Sequence, residues 1–372
     1  MIPVFKPSVG EDELSALKEV FDSGWLGLGP KTKEFEDKFR DFVGAKYCVG
    51  LNSGTTALDM AIKLLNIGPG DEVLVPTMTF VSTAHAVAYN GATPVFVDCN
   101  KEGNLNLCLN DLFNKINPKT KAIIVVHHGG VPVDLDALEN IAGTIPIIED
   151  CAHAVGSYYK GKHVGSRNIG CFSFHAVKNL VMGEGGAITL PHRDLFDRSK
   201  KLRWLGIDKG TWDRTGNDKS YWWEYDVQEI GLKGHMHDIS AAIGLVQLNK
   251  IKEMNSKREL IVERYRKGLD YGISLVNDIY KDCVSSNHLC IMETQFRDEL
   301  STYLKDQDIC TGVHYKPIHL YPCYGQKVTL KNAESRFRRI ITLPIFPDLT
   351  EEDLSTIILH INQFIRRKNE IN

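Results

Sequence analysis

The sequence predicts an α/β protein: a large, mostly parallel sheet covered on both faces, followed by a smaller α+β domain. Three observations carry this. Between about residues 45 and 190, short β-branched runs alternate with helical patterns. A long helical pattern then runs from Met236 to about Leu269, and beyond it strand signals thin out while two amphipathic helices remain, near 296–306 and 350–367. Strands buried on both faces read as continuous apolar runs, and helical crossovers join parallel neighbours.

YCVGL is the first strand, and TTALDMAIKLL after it carries Ala57, Leu58, Ala61, Leu64 and Leu65 at the spacing of a buried helix face. EVLVP and VSTAHAVAY repeat that pair, PVFVD, AIIVVHH and IPIIED supply three more strands, and CFSFH and GAITL supply two more. The segment Arg203 to Asp226 breaks the rhythm: it is polar and turn-rich, yet holds four of the five tryptophans. Two readings stand, a loop pinned to the core by its rings or a lid with a stacking surface for substrate. The long helix follows, with Ile239, Ala242, Ile243, Val246 and Ile251 at helical spacing and a charged later half. It reads as a bridge between a large domain, 1–245, and a small one, 246–372.

A chain of 372 residues, 43% hydrophobic and 24% charged, can bury a sizeable core. Its 44 basic and 47 acidic residues are interspersed for a net charge of -3, so no basic block is available to coat a nucleic acid or an anionic membrane. Nine scattered cysteines never fall in a CxxC pair, which fits reduced thiols rather than a disulfide framework or a zinc site. MIPVFKPSVGEDE has neither the basic stretch nor the apolar core of a signal peptide, and no apolar run approaches the roughly 18–20 residues of a membrane span. The expected location is the cytoplasm.

Ligands of such sheets bind beyond the carboxyl ends of the strands. Three sites fall there. Asn52-Ser53-Gly54-Thr55-Thr56 follows a strand and opens a helix, where free N–H groups and the helix dipole suit an anion, although Ser or Thr beside Gly is also an ordinary helix cap. IIEDCAHAVG ends a strand in Glu149 and Asp150, with His153 three residues on. Lys178 follows Asp150 by 28 residues, just past the aromatic strand containing Phe172 and Phe174 and before Gly183, Gly185 and Gly186. Pyridoxal phosphate needs this set: an anion cradle, a lysine for its aldehyde, and a carboxylate that keeps the ring nitrogen protonated so that the ring accepts carbanion electrons. Phe172 and Phe174 beside the lysine are expected to keep it from full hydration.

From IPVFKP through FHAVKNLVMGEGG and GLKGHMHDISAAIGLVQL to TLPIFPDLT, almost the whole chain resembles the DegT/DnrJ/EryC1/StrS family of pyridoxal-phosphate sugar aminotransferases. The resemblance implies the type I aspartate-aminotransferase fold, a homodimer with shared active sites, and amino transfer from L-glutamate to a nucleotide-linked keto sugar. A 4-keto-6-deoxyhexose is expected, for amino sugars of surface polysaccharide or glycoconjugate. It makes Lys178 the Schiff-base lysine, Asp150 the partner of the pyridine nitrogen, Ser53, Gly54, Thr55 and Ser173 phosphate contacts, Phe80 a ring stacked on the cofactor, and His153 a partner of its phenolic oxygen. Lys233 and His235 stand where relatives reach into the neighbouring subunit's phosphate site. Trp25 and Leu26 are placed against sugar or base, and His314, Tyr315 and His319 near the substrate. The same resemblance leaves room for a small keto phosphate as substrate or for a regulatory relative without turnover. No metal is expected, since His314 and His319 lack ligand spacing and a neighbouring acid.

Overall fold

The computed structural model describes residues 1–208, 225–270, 272–276 and 279–371. Residues 209–224, with Trp212, Trp222 and Trp223, lie outside the described residues, and so does the choice between the two readings of that segment.

The main sheet holds β1 (Tyr47–Leu51), β2 (Glu72–Pro76), β3 (Thr93–Val97), β4 (Thr120–Val126), β5 (Ile147–Asp150), β8 (Ile169–Ser173) and β9 (Gly186–Leu190) in the order β1-β9-β8-β5-β4-β2-β3. Between β5 and β8 a small ribbon, β6 (Tyr158–Tyr159) and β7 (Lys162–His163), pairs with β11 (Cys283–Val284). β3, β2, β4, β5 and β8 run parallel, and β9 alone is reversed against its neighbours β8 and β1. The carboxyl ends of β1, β5 and β8 therefore reach one edge, and β9 starts there, with Gly186 opposite both Leu51 and Ser173. A Cβ at Gly186 would stand 2.3 Å from the Ser53 carbonyl carbon, so only glycine lets the strand meet the turn after β1.

Both faces are covered, as continuous apolar strands require. Val73, Val75, Ile124 and Ile148 enter one core, with Ala57, Leu58 and Ala61 of the helix Gly54–Leu64. Leu74, Ile123, Val125 and Ile147 enter the other, with Phe35 and Phe39 of the helix Pro30–Val43.

The helix Asp238–Gly268 runs through two cores. Ala241, Leu245, Leu248, Ile251 and Met254 pack under the main sheet. Ile261, Val262 and Tyr265 join a third core beside β10 (Ser274–Leu275), β12 (Cys290–Glu293) and β13 (Ile340–Leu343). The core changes within the helix, between Met254 and Ile261. The expected stripe also differs: Ile239, Ile243 and Val246 are only half-buried. The cause is a close approach at Gly244, where a Cβ would lie 2.0 Å from Met182 Cε and 3.0 Å from Phe35 Cε2, so the face of small residues turns inward.

Asp238, at the start of that helix, is buried and caps a different one. Its carboxylate accepts the Gly29, Lys31 and Thr32 N–H groups at 3.0, 3.1 and 2.9 Å and the Thr32 hydroxyl at 2.8 Å. These are the orphan donors opening the helix Pro30–Val43, whose own N-cap is a glycine without a side chain to satisfy them. Among the described residues, no helix is long and apolar enough to cross a membrane.

Candidate active site

A cavity of about 450 Å³ opens at the carboxyl edge of the sheet. Lys178 enters it from a tight loop after β8. Phe174 and Gly185 pair across that loop at 2.8 Å, Ala176 N–H bonds the Gly183 carbonyl at 2.9 Å, and Leu180, Val181 and Met182 are buried as its anchor. Gly183, at φ 80°, supplies a left-handed turn that side chains resist. Burial lowers the Lys178 ammonium to about 8, against the opposing pull of Asp150. The desolvation does not come from the expected rings. Phe172 and Phe174 meet Phe39 edge-on at 4.9 and 5.2 Å in the core under the sheet, and alternation leaves Ser173 to face the cavity.

Asp150, the last residue of β5, is buried in the same cavity. Burial pushes its carboxyl up, while the Ala152 N–H at 3.1 Å, the Thr83 hydroxyl at 3.0 Å and the Lys178 ammonium pull it down. Thr83 Oγ1 in turn lies 2.9 Å from Thr79 Oγ1. Glu149, its neighbour in β5, points away into a buried knot: it accepts His127 Nε2–H at 3.0 Å, Gly165 N–H at 2.8 Å and Asn168 Nδ2–H at 3.1 Å. His127 and Cys151 complete a buried trio with it, all within 4.8 Å. His127 Nδ1 already accepts the Val133 N–H at 3.0 Å and burial raises the Cys151 thiol, so these lone pairs are spent or protonated and hold the strand ends instead of a metal.

At the other end of the cavity the helix Gly54–Leu64 begins. Ser53 caps it by accepting Thr56 N–H at 3.1 Å, and Thr55 Oγ1 lies 2.7 Å from Ser82 Oγ. A Cβ at Gly54 would sit 2.7 Å from Ser173 Cβ, so the turn and β8 close into a cradle that a larger residue would fill. A helix N-terminus with three hydroxyls suits a phosphate. Phe80 lies on the cavity wall, 57% exposed, outside the core that a structural phenylalanine would occupy. With the lysine and the buried acid, these residues fit pyridoxal phosphate.

His153 and Tyr315 form the remaining wall with His314. His153 accepts the Gly129 N–H on Nδ1 at 3.3 Å, and its Nε2 lies 3.0 Å from the Tyr315 hydroxyl. The two rings stack at 5.9 Å, while His288 lies 4.4 Å from His153 on another side. His314 Nδ1 pairs with Thr342 Oγ1 at 2.9 Å. Burial holds His153 well below the usual imidazole range and brings His314 to about 4, so both are neutral near pH 7.

Five expected residues stay outside. His319 is buried beneath the cavity, its Nδ1 2.6 Å from Thr77 Oγ1 and its Nε2 3.3 Å from Glu334 Oε1, which leaves no atom for a substrate. Trp25, Leu26 and His235 line a separate cleft of about 310 Å³ with Trp204. Lys233 Nζ stands 3.4 Å over the Trp204 ring, whose plane His235 meets edge-on at 4.3 Å. A larger cleft of about 650 Å³ between Lys33 and Arg203 is lined by charges that pair with one another, as Arg40 does with Asp37 and Arg203 with Glu36.

The structure adds Thr79, Ser82 and Thr83 to the cavity, and His175 with Glu184 at its mouth, 3.6 Å apart. The first three were readable in PTMTFVSTAHAV as hydroxyls clustered where a helix follows a strand's carboxyl end, but they look like caps.

A sequence model described as the DegT/DnrJ/EryC1/StrS aminotransferase family matches residues 7–362. The chain is 36% identical to the spore coat polysaccharide biosynthesis protein SpsC of Bacillus subtilis, over 98% of this chain and 97% of that one. Among solved structures it is similar to the aminotransferase TlmJ of Streptoalloteichus hindustanus, with a TM-score of 0.93 and 35% identity over 99% of this chain and 100% of that one. It is also similar to Spr1654 of Streptococcus pneumoniae in its PMP form, with a TM-score of 0.92 and 32% identity over 99% and 100% of the two chains; that protein is also solved in a PLP form.

Proposed function

The chain belongs to the DegT/DnrJ/EryC1/StrS aminotransferase family, and from that premise we propose that it moves an amino group from L-glutamate to a nucleotide-linked keto sugar. A 4-keto-6-deoxyhexose is the acceptor in this reading, and the product an amino sugar for surface polysaccharide or glycoconjugate, in keeping with the polysaccharide role that SpsC carries in its name. The enzyme is a pyridoxal-phosphate-dependent transaminase.

The observation that carries the reading is one cavity holding a desolvated lysine, a buried acid and a helix N-terminus. When bound, the cofactor supplies the electron sink that makes the amino donor's Cα–H acidic. Lys178 would hold the cofactor through its aldehyde carbon, and its Nζ would be the base for the Cα proton of the amino donor. A lysine near 8 is partly neutral at physiological pH, as a base must be. Asp150 keeps the ring nitrogen protonated, and Thr83 and the Ala152 N–H orient that carboxylate. Ser53, Gly54, Thr55 and Ser173 hold the phosphate, and Phe80 covers the ring. Donor and acceptor use this cavity in turn, so kinetics are ping-pong. Lys233 and His235, which do not line the cavity of their own chain, serve the site of a second copy in a homodimer.

A glutamate-dependent screen of dTDP-, UDP- and GDP-linked keto sugars beside simple keto phosphates tests the reading. Amination of a nucleotide-linked keto sugar with parallel initial-rate lines is expected. Turnover of small keto phosphates alone would overturn the substrate class.

A further inference from the structure

Asp150 ends β5 and Lys178 follows the neighbouring strand β8, and the chain beyond each is tied to the chain beyond the other through two side chains. Asn179, directly after the lysine, is buried, and its Nδ2 donates twice: to Asn255 Oδ1 at 2.9 Å and to the Ser286 carbonyl at 2.8 Å. Asn255 passes the contact on, its own Nδ2 donating to the Val155 carbonyl at 2.9 Å. Ser286 does the same, its hydroxyl donating to the His153 carbonyl at 2.7 Å. His153 and Val155 both belong to the segment that follows Asp150. Carbonyl oxygens only accept, so the Ser286 and Val155 carbonyls fix which way each amide faces. The space is built for these bridges: a Cβ at Gly156 would stand 2.3 Å from Asn255 Nδ2, and one at Gly130 would stand 2.4 Å from Ser286 Oγ.

Asn255 lies in the long helix where its core changes, between Met254 and Ile261, and Ser286 precedes β12, so both bridges pass through the junction of two cores. Arg258 Nη1–H adds a bond to Asn255 Oδ1 at 3.4 Å. Asn179 Oδ1, by contrast, is buried with no partner among the described residues. An anchor chosen for stability alone would be apolar, as the buried Leu180 beside it is, and would leave no orphan oxygen. The two N–H groups are what the amide adds. We propose that Asn179 is a positioning residue which, through Asn255 and Ser286, fixes the lysine loop at a set separation from Asp150. This rests on the cofactor reading above. The aldehyde carbon and the ring nitrogen lie opposite each other across a rigid ring, so Lys178 and Asp150 engage both at once only if their separation is held.

Loss of the brace opens the lysine loop towards water, and Lys178, which burial holds at about 8, then titrates nearer its ordinary value of 10.5. The test follows capture of pyridoxal phosphate against pH by the empty wild-type, Asn179→Leu, Asn179→Ser, Asn255→Ala and Asn179→Leu/Asn255→Ala proteins. Their melting temperatures, and kcat and KM for glutamate after loading, are measured beside it. Asp150, His153, His175, Glu184, His288 and His314, the titratable groups around the lysine, stay unchanged throughout, as does Arg258 beside Asn255. Asn179→Leu, which fills the space without the two donors, should raise the midpoint of capture by about one pH unit, a tenfold change in proton affinity. It should also lower kcat by about tenfold with KM for glutamate unchanged, as misplacement of a reacting group does. Asn179→Ser, which keeps a single donor, should fall between that variant and wild type. Asn255→Ala should shift both quantities in the same direction and add nothing to Asn179→Leu, because its bridge runs through Asn179; the serine and Asn255 variants decide the question if the leucine variant does not fold. An unmoved midpoint in the Asn179 variants, a lower melting temperature with capture and kcat unchanged, or additive shifts in the double variant overturns the proposal. Absence of a lysine-linked absorption in the loaded wild-type protein would instead overturn the cofactor reading beneath it.

Discussion

At the carboxyl edge of the sheet Asp150 accepts two hydrogen bonds and His153 makes two through its ring, all within one chain. In the cleft beside Trp25, Trp204 Nε1 and His235 Nδ1 are buried with no hydrogen-bond partner among the described residues, and Lys233 rests on an indole face rather than on an anion. Buried polar atoms are nearly always paired, and leaving one unpaired costs about 1–3 kcal/mol. The first region satisfies these groups from within the chain. The second leaves these two atoms unpaired among the described residues, and the Trp204–Lys233 bridge ties them to the Asn52 turn at the foot of the phosphate cradle, where Asn52 N–H bonds the Gly234 carbonyl at 2.8 Å. Two neighbouring regions of one motif-rich edge thus differ in how far the described residues satisfy their buried polar groups.

The sharpest way to break this contrast is at the finished site. Lys178→Ala should lower turnover by at least about 10³-fold, since base and covalent anchor go together, while added pyridoxal phosphate still binds without covalent linkage; retained turnover would move the chemistry elsewhere. Asp150→Asn should cost about 10²-fold in kcat with cofactor still held, because a neutral ring nitrogen draws electrons poorly; activity near wild type would show that the acid only braces its strand. The unfinished region gives a smaller effect. Lys233→Ala should weaken cofactor affinity by about tenfold, as loss of one charge-assisted contact does. Mixing that variant with Lys178→Ala at limiting cofactor should restore activity in hybrid dimers, where one site keeps both residues; activity that stays at the sum of the two parents would put Lys233 in its own chain's business only. The mildest test is pH. A lysine ordinarily titrating at 10.5 but lowered to about 8 is neutral over a wider range, so capture of pyridoxal phosphate by the empty enzyme should reach half its maximal rate near pH 8. A midpoint above 10 would mean that Lys178 is as hydrated as a surface lysine.

The finished site was largely legible because each of its parts has a local signature: a strand that ends in Asp150, a turn of Ser53, Gly54 and Thr55 that opens a helix, and Lys178 inside a glycine-bounded loop. What escaped depends on contacts that sequence distance hides. The His153–Tyr315 bond spans 162 residues and joins segments before and after the long helix, so neither ring announces the other. Thr83 reads as a helix cap until Asp150 is seen beside it. His319 shows the opposite error, since it shares a segment with Tyr315 but faces inward to Thr77. The long helix is legible in its period, but it is apolar on more than one side, and Gly244, a residue without a side chain, decides which side packs closest.

Asp238 has a consequence for how the chain emerges during synthesis. It satisfies the first turn of the helix Pro30–Val43 from 206 residues downstream of Thr32. At about 5–20 residues per second, a ribosome needs on the order of 10 to 40 s to deliver that carboxylate. Until then the early helix has a glycine at its head and open N–H groups, and Phe35 and Phe39 have no completed core to enter. The first turn of the helix Pro30–Val43 thus gains its cap only once the start of the long helix has emerged.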